Sequence, residues 1–175
     1  MKLLLTLSAL TMILQADISL PNNFETDFQQ SITNDKGKVI KYTGSVFFKN
    51  SNTRSLFKWS YASPTQKEVC TDGTQLIVVD HDLEQVSTYL IDDGVNLEAI
   101  LKVANKISEK TYTASYKEVE YLIYLDERKQ LQQIVYVDNL DNAVKIIFNN
   151  MNYNTSVTQN VLECDAPDTY DEIRG

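Results

Sequence analysis

One histidine, two cysteines, three prolines and five glycines are all that this 175-residue chain holds of the residues on which most catalytic and metal-binding motifs depend. A single imidazole excludes any metal site that needs two, and neither a Gly-x-Ser-x-Gly elbow nor a glycine-rich phosphate loop occurs. Lys and Arg number 16 against 24 Asp and Glu, for a net charge of −8, so the clustered cations that hold nucleic-acid phosphates are missing. No cofactor, metal or nucleic-acid partner is expected. Beyond the N-terminus no stretch approaches the roughly 18 uninterrupted apolar residues of a membrane span. The composition, 43% hydrophobic and 23% charged, is that of one ordinary folded domain.

Residues 1–16 stand apart. Lys2 precedes an apolar run, Leu3 to Leu14, which ends in Gln15-Ala16 before Asp17. One basic residue, a short apolar run and a small residue form the plan of a secretory signal peptide. The sequence therefore predicts a signal peptide over 1–16 and an exported domain over 17–175, whose charge becomes −9 once Lys2 is removed. Export bears on the cysteines, because an oxidising compartment permits a Cys70–Cys164 disulfide. Two separate buried thiols are the alternative.

From Val39 onward the chain breaks into segments rich in Val, Ile, Tyr, Phe and Thr. Strands are expected over 38–49, 54–62, 66–71, 74–80, 84–91, 110–117, 119–126, 131–138 and 143–150, with a last piece near 161–164. Turn signals separate them: Ser63-Pro64, Asp72-Gly73, Asp126 to Lys129 and Asn139 to Asn142. Short connections favour an antiparallel meander, and about ten strands in one domain must curl. Two segments read as helix. Phe24, Phe28 and Ile32 recur at intervals of four within 21–32, and Leu97, Ile100, Leu101, Ala104 and Ile107 line one face of 97–107, with Asn96 as cap. Phe57, Trp59 and Tyr61 share one strand face. Segments 74–79, 119–126 and 131–138 are apolar on both faces, so they either form extra core under the helices or line a cavity.

Catalysis finds little support. His81 lies between Asp80 and Asp82, but neighbouring strand residues point to opposite faces, so the three do not converge in a regular strand. A solvated turn histidine is expected, and no catalytic residue is assigned.

Several segments, in their order, resemble the periplasmic outer-membrane lipoprotein carrier (LolA) family. Phe24-Glu25-Thr26-Asp27-Phe28-Gln29-Gln30 is similar to its F-x-x-x-F-x-Q, followed by Gly44 and Phe48. Leu56 to Pro64 is similar to F-x-W-x-x-x-x-P, and Val79-Asp80-His81-Asp82-Leu83-Glu84-Gln85-Val86 to Y-D-x-x-L-x-Q-V. The likeness is specific from Phe24 to about Leu90 and loose afterwards, with Cys164-Asp165-Ala166-Pro167 agreeing near the end.

The resemblance implies a mainly β fold: an incomplete antiparallel β-barrel of about ten to eleven strands, with short helices as a lid over an apolar cavity. It also implies a periplasmic, monomeric carrier. Its partners would be acylated lipoproteins, an inner-membrane ABC transporter that releases them and an outer-membrane receptor that takes them. Phe24, Phe28, Leu97, Ile100, Leu101 and Ala104 become candidates for acyl contact and the lid. Phe57 and Trp59 become candidates for the cavity or the transporter contact, with plain core as the alternative. In the family an Arg-Pro pair precedes the F-x-W strand and latches the lid. Here Arg54-Ser55 stands five residues before Trp59 instead of six and lacks the Pro, which leaves Arg54 as latch candidate or as a surface residue. The competing readings are an envelope-stress sensor module, a binder of free lipid, and a hydrolase using His81.

Overall fold

The computed structural model describes residues 18, 20–51, 54–71, 74–90 and 97–174. The signal-peptide segment, the Asp72-Gly73 turn and the Asn96 cap lie outside the described residues. Twelve strands form one sheet in the order β12-β6-β5-β4-β3-β2-β1-β11-β10-β9-β8-β7. In chain order they are β1 (Asn23–Thr33), β2 (Val39–Ser51), β3 (Arg54–Ser63), β4 (Lys67–Thr71), β5 (Gln75–Asp80), β6 (Gln85–Leu90), helix α1 (Leu97–Lys102), β7 (Asn105–Lys106), β8 (Thr111–Tyr116), β9 (Val119–Leu125), β10 (Leu131–Val137), β11 (Ala143–Tyr153), helix α2 (Gln159–Leu162) and β12 (Asp171–Arg174). Every pairing is antiparallel except β12 with β6. The sheet is open, with β12 at one edge and β7 at the other.

The sheet is strongly curled. Trp59 on β3 and Phe148 on β11 lie three strand steps apart, which in a flat sheet is about 14 Å, yet their ring centroids are 6.1 Å apart. Residues from β1, β2 and β8 to β11 consequently bury their inner side chains in a single core.

Three hairpins share one turn chemistry. An Asx side chain opens the loop, Oδ1 accepts the backbone N–H groups two and four residues on, and the residue at the third place takes a positive φ. Asn34 with Gly37 (φ 76°) does this between β1 and β2, Asp126 with Lys129 (φ 61°) between β9 and β10, and Asp138 with Asp141 (φ 60°) between β10 and β11.

The helix expected over 21–32 is a strand. An interval of four is even, so Phe24, Phe28 and Ile32 share a strand face as readily as a helix face. A core-facing helix would also need apolar residues three along, where Asp27 and Ser31 stand, whereas β1 finds partners in β2 and β11 on both sides. The second expected helix is real but ends at Lys102. Asn105–Lys106 then pairs with β8, which leaves Ile107 exposed and off the stripe. The expected strand near 161–164 is instead the end of α2, and β12 is polar apart from Ile173, without a readable pattern.

The two long connections use opposite faces of the sheet. Between β6, which neighbours the β12 edge, and β7 at the far edge, α1 lies over the inner face, packed in the main core. After β11 the chain crosses the outer face, with α2 near β2 and β3, and reaches β6. A Cys70–Cys164 disulfide pins this return, with the Cα atoms 5.8 Å apart.

Candidate functional site

Register decides what the inner face carries. Phe24 pairs with Phe48, Phe48 with Phe57, Val46 with Trp59, and Phe28 with both Gly44 and Phe148, so these side chains share one face. Ring contacts knit them together: Phe48–Phe57 at 4.5 Å, Phe24–Phe48 and Phe28–Trp59 at 5.0 Å, and Phe28–Tyr61 at 5.1 Å. Gly44 makes room for Phe28. A Cβ there would lie 2.8 Å from Phe28 Cε1 and run into the Ser60 carbonyl oxygen. Farther round the curl, Tyr112, Ala114, Tyr121, Ile123, Leu125, Ile134, Val144 and Ile146 complete the wall.

Helix α1 closes one end of this trough. Leu97, Ile100, Leu101 and Ala104 are buried within the same core as Phe24 and Phe48. Glu98 stands in the first turn of α1, and its Oε2 accepts a hydrogen bond from Ser55 Oγ at the start of β3. Ser55 lies two residues before Phe57 and so shares its face. Ser55 thus makes a polar tie between α1 and the sheet. The side chain of Arg54, the latch candidate, lies outside the described residues.

Tyrosines line the other end of the trough. Tyr42 and Tyr61 meet edge to face at 5.8 Å, and Tyr121 and Tyr136 lie 5.0 Å apart. Burial pushes the Tyr61 hydroxyl up from 10.0 to about 12, with Tyr42 adding a smaller effect. Tyr136 is raised further, first by burial and then by Tyr121, Tyr61 and Asp138. These phenols stay neutral, so the wall is apolar with polar tips and carries no charge to repel a hydrocarbon.

The outer face holds a separate arrangement. Lys58 Nζ lies 2.9 Å from Glu68 Oε1 and donates to the Glu163 carbonyl at 2.7 Å, while Glu68 Oε2 accepts the Asp165 N–H at 2.8 Å. Leu162 and Val157 are buried beside them. Glu68 and the two sulfurs come within 4.8 Å of one another, but the sulfurs are bonded together and offer no thiolate to a metal.

Phe24 and Phe28, placed above in a lid helix, sit instead on the floor beneath the lid, as central strand residues. Leu97, Ile100 and Leu101 do form the underside of a helix over that floor, and Ala104, just past the helix end, is buried in the same core. Phe57 and Trp59 face the trough, half-buried. His81 begins a turn, where its Nδ1 lies 3.1 Å from the Tyr170 hydroxyl. Asp80 Oδ1 accepts the Leu83 N–H within the turn and Asp82 Oδ2 the Gln66 N–H from the β3–β4 connection, so both carboxylates are occupied by backbone donors. Sequence reasoning missed Ser55, Phe148 and the tyrosine end. Parity could have found Ser55 from Phe57 and Trp59, but only the curl brings Phe148 to Trp59.

Comparison with known proteins gives a consistent answer. The family profile described as "Outer membrane lipoprotein carrier protein LolA" matches residues 20–118. The outer-membrane lipoprotein carrier protein of Campylobacter jejuni is 33% identical over 153 residues, covering 87% of this chain and 87% of the relative. That of Wolinella succinogenes is 31% identical over 132 residues, covering 75% of each. Among solved structures, an uncharacterised conserved protein from Thermus thermophilus shares the fold with a TM-score of 0.58 at 12% identity, covering 89% of this chain and 92% of that one.

Proposed function

This chain belongs to the outer-membrane lipoprotein carrier family, and we propose on that premise that it carries lipoproteins through the periplasm with their acyl chains held in the trough under α1. The supply is an inner-membrane ABC transporter and the destination an outer-membrane receptor. The observation that carries this reading is the aromatic inner face of an open, curled sheet, covered by a helix of six residues. Each exposed CH₂ costs about 0.8 kcal/mol in water, so one long acyl chain crossing unshielded would cost roughly 10 kcal/mol or more. A carrier has to offset most of that and still let go.

The trough is suited to both demands. Its floor is held from both sides, because β1, β2 and β11 are central strands. Its cover is a short helix, which by itself has little tendency to persist and is held, among the described residues, by an apolar stripe and by the Ser55–Glu98 hydrogen bond. Opening α1 exposes Phe24, Phe48 and their neighbours to incoming acyl chains. No step of this cycle needs bond chemistry. Residues 1–16 read as a signal peptide and the disulfide suits an oxidising compartment, which supports the periplasm as the place of action.

The test is a release assay. The exported protein is added to energised inner-membrane vesicles that hold labelled lipoprotein and an active transporter. Lipoprotein should appear in the soluble fraction in complex with the protein. Absence of release from vesicles with demonstrated transporter activity would refute the carrier reading, and a free lipid found by mass spectrometry of the purified protein would replace it.

A further inference from the structure

Two neighbouring hairpins project from the end of the sheet opposite α1. Register places Val39, Thr33, Ala143 and Val137 in one row on the outer face. The next outer row runs Lys41, Ser31, Lys145, Val135 and Leu122. Beyond the first row the β10–β11 turn thrusts Leu140 into solvent at 80% exposure, beside Val137 at 55%. Val39 and Ile40 are exposed too, at the root of the β1–β2 turn, which carries Lys36 and Lys38.

Large apolar side chains at two adjacent turn tips, among exposed lysines, stand out on a chain of net charge −8. The two turns hold three acids, Asp35, Asp138 and Asp141, against Lys36 and Lys38, with Lys41 and Lys145 on the strands just behind them. Asp35 and Asp141 are exposed, and Asp138 is tied into its own turn by Leu140 and Asn142. We infer that this hairpin end is a membrane-contact site that seats on an anionic phospholipid surface, with Leu140, Val137, Val39 and Ile40 entering the headgroup layer.

Three features favour a bilayer over a protein groove. The apolar residues sit on convex tips, so they insert rather than receive. Lysines next to them can extend their stems along the apolar surface and keep their ammonium groups at the phosphates. A protein otherwise acidic is repelled by an anionic surface, so contact demands a local group of cations such as Lys36, Lys38, Lys41 and Lys145. A second copy of the chain fits poorly, because a twofold contact here would set these lysines against their own symmetry mates. The tyrosine end of the trough lies on the same side, since Tyr42 follows Ile40 by two residues and Tyr136 adjoins Val137. Phenolic side chains suit that boundary, being apolar along the ring and polar at the tip.

The contact goes beyond the carrier reading, because it needs no cargo and no transporter. Vesicles of phosphatidylethanolamine with phosphatidylglycerol, and of pure phosphatidylcholine, are sedimented with the exported protein over a range of salt. Binding should appear on the phosphatidylglycerol vesicles, fall with salt, and drop by tenfold or more in the Val137→Asp/Leu140→Asp double variant. Lys36→Glu should weaken it by about fivefold or more, since one lysine near the surface contributes about that factor. Leu90→Asp, an exposed residue at the lid end, should leave it unchanged, and melting temperatures check that each variant is folded. Equal binding to phosphatidylcholine, equal loss in Leu90→Asp, or unaltered binding in both tip variants overturns the inference. A change in oligomeric state in place of vesicle binding assigns the patch to a second copy and also overturns it. None of these outcomes touches lipoprotein release, which is read in the separate assay.

Discussion

Removing the Ser55 hydroxyl should loosen the lid without unfolding the protein. Ser55 Oγ donates to a carboxylate oxygen of Glu98, and hydrogen bonds to charged groups contribute about 1.5–3 kcal/mol. Both residues are half-buried, so in Ser55→Ala water can reach Glu98 and the loss falls just below that range, about 1–1.4 kcal/mol. That corresponds to roughly a five- to tenfold rise in the open population. The apolar stripe contributes more, because burying Leu97, Ile100 and Leu101 stabilises by about 1.5–3 kcal/mol each. The hydrogen bond thus tunes an equilibrium that the stripe dominates, and Leu101→Ala should open α1 further while also lowering global stability. Native-state hydrogen exchange of the α1 amides reads the opening directly, and the association rate of a fluorescent apolar probe reads its consequence. Both should rise about five- to tenfold in Ser55→Ala and Glu98→Ala, with no further gain in the double variant. Exchange in α1 that stays at the wild-type rate, or two effects that add in full, would refute the latch.

Other expectations follow from the same geometry. Gly44→Ala should destabilise by about 3 kcal/mol, the upper range for overpacking, because the Ser60 carbonyl cannot retreat from a new Cβ; chemical denaturation measures it, and a loss below about 1 kcal/mol would contradict the close approach. Cys70→Ser/Cys164→Ser should cost about 3–5 kcal/mol, since the bond closes a 94-residue separation, and should raise exchange in β12 before the trough is affected. Uniform loosening of both regions would show that the tail and trough are one unit. Alkaline stability should depend on Tyr61 and Tyr136. Their folded-state pKa values lie above the unfolded value of 10.0, so their contribution is intact below pH 10.0 and is lost as pH rises towards about 12. Phenolate absorbance should therefore show these two groups ionising together with unfolding, and Tyr61→Phe should flatten the alkaline loss. Free titration of all ten Tyr near pH 10 in the folded state would contradict the burial.

Much of the sheet could be read along the chain, because a strand's period and its turn residues are local properties. Nine expected strands between Val39 and Tyr153 appear within a few residues of their places. The Asx-opened turns after Asp126 and Asp138 were visible for the same reason. The stripe of Leu97, Ile100 and Leu101 could be read too, since Ile100 and Leu101 fall three and four residues after Leu97 and only a helix aligns all three, although the helix stops short of Ala104.

Where a local pattern fitted two structures, neighbours chose between them. Phe24, Phe28 and Ile32 suit a helix and a strand alike, and pairing with β2 and β11 made the segment a central strand. Ser55 and Glu98, or Trp59 and Phe148, meet only because the sheet curls and α1 packs on its inner face. The sequence by itself determined the strand content, the apolar stripe of the lid, the scarcity of catalytic groups and the family likeness. Tertiary structure alone decided which aromatic residues are floor, what ties the lid, and that two lysine-flanked hairpins share one end. Those are distances between residues remote along the chain, set by register and curvature and not by local pattern.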